Sequence, residues 1–224
     1  MVGGDGQAAA RAGGRTRSPA EEFTSATIQG SAALLSIAGY ALLLARARPS
    51  AAVLAGISIY GVSLIVAFLA SALYHGVWHC RLKRLFRTVD HCTIFLLIAG
   101  TYTPIALIAL RPHGGWLLLA AIWTLALLGM ALRLAAGARF HRLAIPLYLA
   151  MGWLSAAWAG ALYAALGAAP LLLFAAGGIA YTGGLLFYRA HALPFSNPLW
   201  HLCVVAGSAC FYAGIALYVL PPAH

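Results

Sequence analysis

Acidic residues are almost missing from this chain, with four Asp and Glu among 224 residues against fourteen Lys and Arg. Charge of both signs together makes up 8% of the sequence, where a soluble domain carries about a quarter. A water-facing surface cannot be built from so little, which excludes an ordinary soluble globular fold. Cysteine is scarce as well. Cys80, Cys92, Cys203 and Cys210 show no C-x-x-C spacing. They read as small apolar side chains rather than a disulfide framework or a thiolate metal site.

What fills the chain instead is apolar, at 63% of residues. Seven runs are long enough to cross roughly 30 Å of hydrocarbon as helices. They fall at about 26–45, 51–74, 89–110, 115–135, 143–163, 170–188 and 199–220. Gly, Ala and Ser recur in all of them, as close helix packing in lipid requires. Residues 1–25, rich in Gly, Ala and Arg with no apolar period, read as a disordered cytoplasmic tail. The predicted fold is an all-α membrane protein, a seven-transmembrane-helix bundle occupying 26–220. A cleaved signal peptide is the rival reading for the first run, because Ala45-Arg46-Ala47 faintly resembles a small-residue cleavage site. The Arg inside that site and the polar stretch before the run argue against it.

The excess of basic residues also gives an orientation. Eleven of them (Arg11, Arg15, Arg17, Arg81, Lys83, Arg84, Arg87, Arg133, Arg139, Arg142 and Arg189) fall in the tail and the even-numbered connections. Three, Arg46, Arg48 and Arg111, fall on the other side. Cytoplasmic loops collect positive charge, so the N-terminus is expected inside and the C-terminus outside. Seven spans, an odd number, satisfy that. Charge dispersed in short loops is read by anionic lipid headgroups, not by nucleic acid.

Ionisable side chains in membrane segments are costly and mark function by default. With this topology, the end of helix 2 (Ser71, His75) and the starts of helix 3 (Asp90, His91) and helix 7 (Asn197, His201) meet one membrane face. Ser71 and His75 are four apart, as are Asn197 and His201, so each pair shares a helix face. Imidazoles beside a carboxylate are what Zn²⁺ takes, and metal-bound water is a nucleophile near neutral pH. The bland alternatives are snorkelling histidines at the interface and an Asp90 paired with Arg84 or Arg87. His79, His113, His141 and His191 beside or within loops need no special account.

The run from Ser71, SALYHGVWHCRLKRLFRTVDHCTIFLLIAGTYTP, resembles the signature of the hemolysin III proteins. These lie in the wider superfamily of progestin and adiponectin receptor-like proteins, related to alkaline ceramidases. NPLWHLCVVAGSACFY near the C-terminus resembles the H-x-x-W-H-x-x-V-x-x-G-S-x-x-H-F element of that family, and the likeness extends over about 20–220. It implies seven helices, a cytoplasmic N-terminus and a zinc ion near the cytoplasmic face. His75 and His201 match ligands, Asp90 the carboxylate acting through water, and Ser71 the serine one turn from the histidine. Asn197 stands where a first helix-7 ligand belongs, Gln29 replaces a His in helix 1, and Phe211 replaces the His of the H-F pair. Amide oxygen is a poor zinc ligand.

Three functions follow as expectations. The first is a zinc-dependent hydrolase of lipid amides or esters, with His75, His201 and Asn197 toward the metal and Asp90 and Ser71 catalytic. The second is a cytolytic pore, for which no span carries a line of charge. The third is a non-catalytic role in lipid homeostasis or sensing. Membrane lipids are the expected partners, with a lipid as the substrate of the first. The Arg-over-Lys, Ala-rich composition points to a multi-pass protein of a bacterial plasma membrane.

Overall fold

The computed structural model describes Arg15, residues 17–48 and residues 50–220. Its seven spans are α1 (Pro19–Arg46), α2 (Ala51–Gly76), α3 (Cys80–Ala109), α4 (Gly115–Ala136), α5 (Leu143–Leu166), α6 (Ala168–Arg189) and α7 (Ser196–Val219). No strand occurs among the described residues.

Helix α1 starts seven residues ahead of the apolar run, for a local reason. Ser18 caps it: its Oγ accepts from Glu21 N at 3.3 Å, and its own amide donates to Glu21 Oε2 at 2.7 Å. Pro19 at the first helical position adds a pre-set φ. The boundary expected at residue 25 therefore lies inside a helix, and Glu21 and Glu22 belong to its first turn. The rest of that tail, 1–14 and 16, lies outside the described residues. Helix α3 likewise begins at Cys80, nine residues early, because its basic first turns are helical too.

The chain packs in sequence from α1 to α4, and α7 returns to lie against α1 with α6 beside it. Helix α5 occupies the space between α4 and α6 and is the most loosely covered span. Close approach depends on missing side chains. A Cβ on Gly100 would lie 2.0 Å from Ser63 Oγ, and one on Gly129 would lie 2.3 Å from the Phe95 ring. Outward-facing Leu34, Leu35, Leu117 and Leu186 stay exposed, as side chains facing lipid do.

Three spans are irregular: α7 ends in a π turn over Ile215–Val219, with Leu220 N bonded to Ile215 O at 3.0 Å, and α3 and α5 are interrupted too, with their freed backbone groups satisfied internally. After Pro104, α3 widens into a π turn over Ile105–Ala109, ending with Leu110 N bonded to Ile105 O at 2.9 Å. Helix α5 breaks at Gly152, passing through a 3₁₀ turn at Leu154–Trp158. Exposed backbone polar groups are not tolerated in hydrocarbon. The Tyr102 hydroxyl of α3 meets them: it lies 2.9 Å from the carbonyls of Met151 and Gly152 and accepts from Ser155 N at 2.9 Å.

Candidate functional site

One end of the bundle concentrates the polar side chains. It holds the start of α1, the end of α2, the start of α3, the end of α4 and the start of α7. On α1, Glu22, Ser25 and Gln29 recur at helical spacing and are all buried, a polar stripe turned into the bundle. Ser71 and His75 of α2, and Asn197 and His201 of α7, are buried as well.

The centre is an imidazole pair. His75 Nε2 and His201 Nε2 lie 3.0 Å apart, with the rings edge to face. His75 Nδ1 is 3.2 Å from Glu22 Oε2. Lys83 Nζ donates to the same oxygen at 2.7 Å, and an Arg17 guanidinium nitrogen lies 3.6 Å from the other. An ionised carboxylate only accepts, so His75 carries its proton on Nδ1. Neutral His75 then accepts at Nε2 from His201 Nε2–H. His201 Nδ1 in turn accepts from the Gln29 amide nitrogen, with which it is in close contact. The result is a one-way hydrogen-bond chain, Gln29 to His201 to His75 to Glu22. Gln29 Oε1 is left buried without a partner.

The remaining expected residues sit around this pair. Asp90 hydrogen-bonds Ser71, the residue one helical turn before His75. That pairing replaces the alternative with Arg84 or Arg87. Asn197 donates its Nδ2 to Ser25 Oγ at 2.9 Å. His75, Asp90, Asn197 and His201 all line one cavity of about 210 Å³. His79 is exposed, and Phe211, in the slot of another histidine, lines the apolar part of the cavity. The sequence pattern leaves Glu22 and Ser25 ahead of the first helix, because the apolar run begins only after them; Gln29 lies within that run and reads there only as the replacement of a His. The S-P-A-E capping signature at Ser18–Glu21 is the signal that places Glu22 and Ser25 inside the helix.

Does this donor set fit zinc? A catalytic zinc takes three protein ligands, usually imidazole or carboxylate. Here only two imidazole nitrogens converge, 3.0 Å apart and within hydrogen-bond distance of each other. The third position, Asn197, offers an amide already engaged with Ser25. Among the described residues no group of three or more His, Cys, Asp or Glu side chains gathers as a metal site. The residues present do not fit a catalytic zinc.

A seven-span membrane protein with a buried histidine pair at one end, opening on a largely apolar cavity, is the class that fold and site define. A family model described as "Haemolysin-III related" matches residues 19–212, and the chain belongs to that family. It is similar to "Hemolysin-3" of Bacillus cereus, 40% identical over 205 residues, 91% of this chain and 94% of the relative. It is also similar to the "Hemolysin-3 homolog" of Bacillus subtilis (strain 168), 36% identical over 200 residues, 88% of this chain and 94% of the relative.

Proposed function

We propose that this chain, an integral membrane protein of the haemolysin-III related family, takes a single-chain amphiphile from the bilayer and acts in lipid homeostasis or sensing. The observation carrying this reading is the cavity. Ile94, Leu97, Ile98, Leu149, Leu185 and Val204 wall it, and His75, Asp90 and His201 close one end. Apolar walls with a few convergent polar groups are the usual form of a small-molecule site. The charge asymmetry supports a cytoplasmic polar end, and the Arg-over-Lys, Ala-rich composition supports a bacterial plasma membrane.

Hydrolysis at a metal is disfavoured by the donor set. Cytolysis comes from the relatives' names alone. Among the described residues no line of charge runs the length of the bundle, and the buried Glu, His and Arg side chains collect at one end. The test is binding of radiolabelled stearyl alcohol to the full-length protein in neutral detergent, in the wild type and in Val204→Trp, which fills the cavity. Saturable binding lost in the variant is the expected result; binding unchanged by the variant overturns the reading.

A further inference from the structure

Arg133, in the last turn of α4, is 6% exposed and lines the same cavity. One Nη donates to Gly137 O at 2.6 Å and the other to His91 Nδ1 at 3.0 Å. Its Nε has no partner. No carboxylate lies within ion-pair distance of it among the described residues. Described acidic side chains are engaged elsewhere: Glu21 with Arg15 and Ser18, Glu22 with His75 and Lys83, Asp90 with Ser71.

A helix C-terminus attracts a cation, and the bond to Gly137 is such a cap. That gain is several times smaller than the cost of burying an uncompensated guanidinium, and a capping Arg can remain in the headgroup layer. A buried guanidinium with no carboxylate beside it calls for an anion. The surroundings agree: Arg17, which is paired with Glu22, and Arg87 also line the cavity, and Asp90 is the one carboxylate among its described lining residues. That end is net positive, and the adjoining walls are hydrocarbon.

The geometry points to an anion subsite at Arg133, flanked by His91, that holds the carboxylate or phosphate of the amphiphile. This rests on the cavity reading above and adds the sign of the headgroup. Arg133 binds with charge-assisted hydrogen bonds, and its present partners take one hydrogen of each Nη and leave the other for an anion.

The experiment compares radiolabelled stearate with radiolabelled stearyl alcohol on the full-length protein in neutral detergent, for the wild type, Arg133→Met and Arg133→Lys. The wild type should bind stearate more tightly than the alcohol. Loss of charge-assisted hydrogen bonds predicts that Arg133→Met weakens stearate roughly 10- to 100-fold. Affinity for the alcohol should stay unchanged, which also reports an intact fold. Arg133→Lys should recover part of the loss. Inorganic phosphate and acetate should fail to displace stearate; displacement by either would assign the site to a free anion and overturn the lipid headgroup. Equal losses for both ligands, or none, would overturn the anion subsite while leaving the cavity reading standing. If neither ligand binds the wild type, both fall together.

Discussion

His75 and His201 meet Nε2 to Nε2 at 3.0 Å although 126 residues separate them in the chain. That contact ties the end of α2 to the start of α7, and its outer nitrogens reach Glu22 and Gln29 of α1. Three helices are joined through two rings.

Because the four side chains form one chain of hydrogen bonds, their contributions are coupled. His75→Ala and His201→Ala should each destabilise the protein by about 1–3 kcal/mol, since each leaves buried polar partners unsatisfied. The double variant should lose clearly less than the sum. Thermal unfolding in detergent measures all three, and strict additivity would contradict the relay.

Metal binding should be weak here and restorable. Co²⁺ added to the wild-type protein should give no intense visible ligand-field bands of a tetrahedral site. Gln29→His combined with Asn197→His adds two imidazoles beside the existing pair and should produce such bands, because borderline metals favour imidazole over amide. Strong tetrahedral bands in the wild type would show that the native donors suffice.

Packing predictions separate two glycines. Gly100→Ala drives a Cβ into Ser63 Oγ at 2.0 Å and Ser63 Cβ at 2.7 Å, and should cost about 1–3 kcal/mol as overpacking. Gly30→Ala meets nothing within 4 Å and should be neutral or stabilising by up to about 1 kcal/mol. Detergent unfolding of both variants tests this, and a tolerant Gly100 would mean that α2 and α3 do not approach so closely.

Orientation is testable through Cys80, which is exposed at the start of α3 beside the basic turn. With Cys80 as the single cysteine, a membrane-impermeant maleimide should label inside-out vesicles and spare intact spheroplasts. The reverse pattern would invert the topology drawn from the loop charges.

The seven spans are legible because apolar length alone identifies them, and twelve of the fourteen starts and ends lie within three residues of their expected positions. The two large shifts, at Pro19 and Cys80, share a cause: both first turns are polar and sit where the hydrocarbon signal has faded. Capping chemistry at Ser18 extends one, and the amphipathic C-R-L-K-R-L-F-R turn extends the other. The meeting of Ser71 with Asp90, and of His75 with His201, was foreseeable from spacing and topology. Glu22 was not, since a carboxylate ahead of an apolar run ordinarily reads as a solvated flank. Arg133 was counted only as a topology charge. Its burial depends on how α4 ends against His91 and Gly137, a tertiary matter that local pattern does not encode.

The polar stripe on α1 has a consequence for how the molecule is made. Glu22, Ser25 and Gln29 leave the ribosome long before His75, and longer still before Asn197 and His201. Glu21 waits for the amide of Phe195, 174 residues downstream, which it holds at 2.6 Å in the finished protein. During synthesis the leading helix therefore sits in the membrane with its hydrophilic side unmatched, and only the arrival of the final span closes the circle. A chain truncated before α7 should be a poor tenant of the bilayer and a ready target for quality-control proteases.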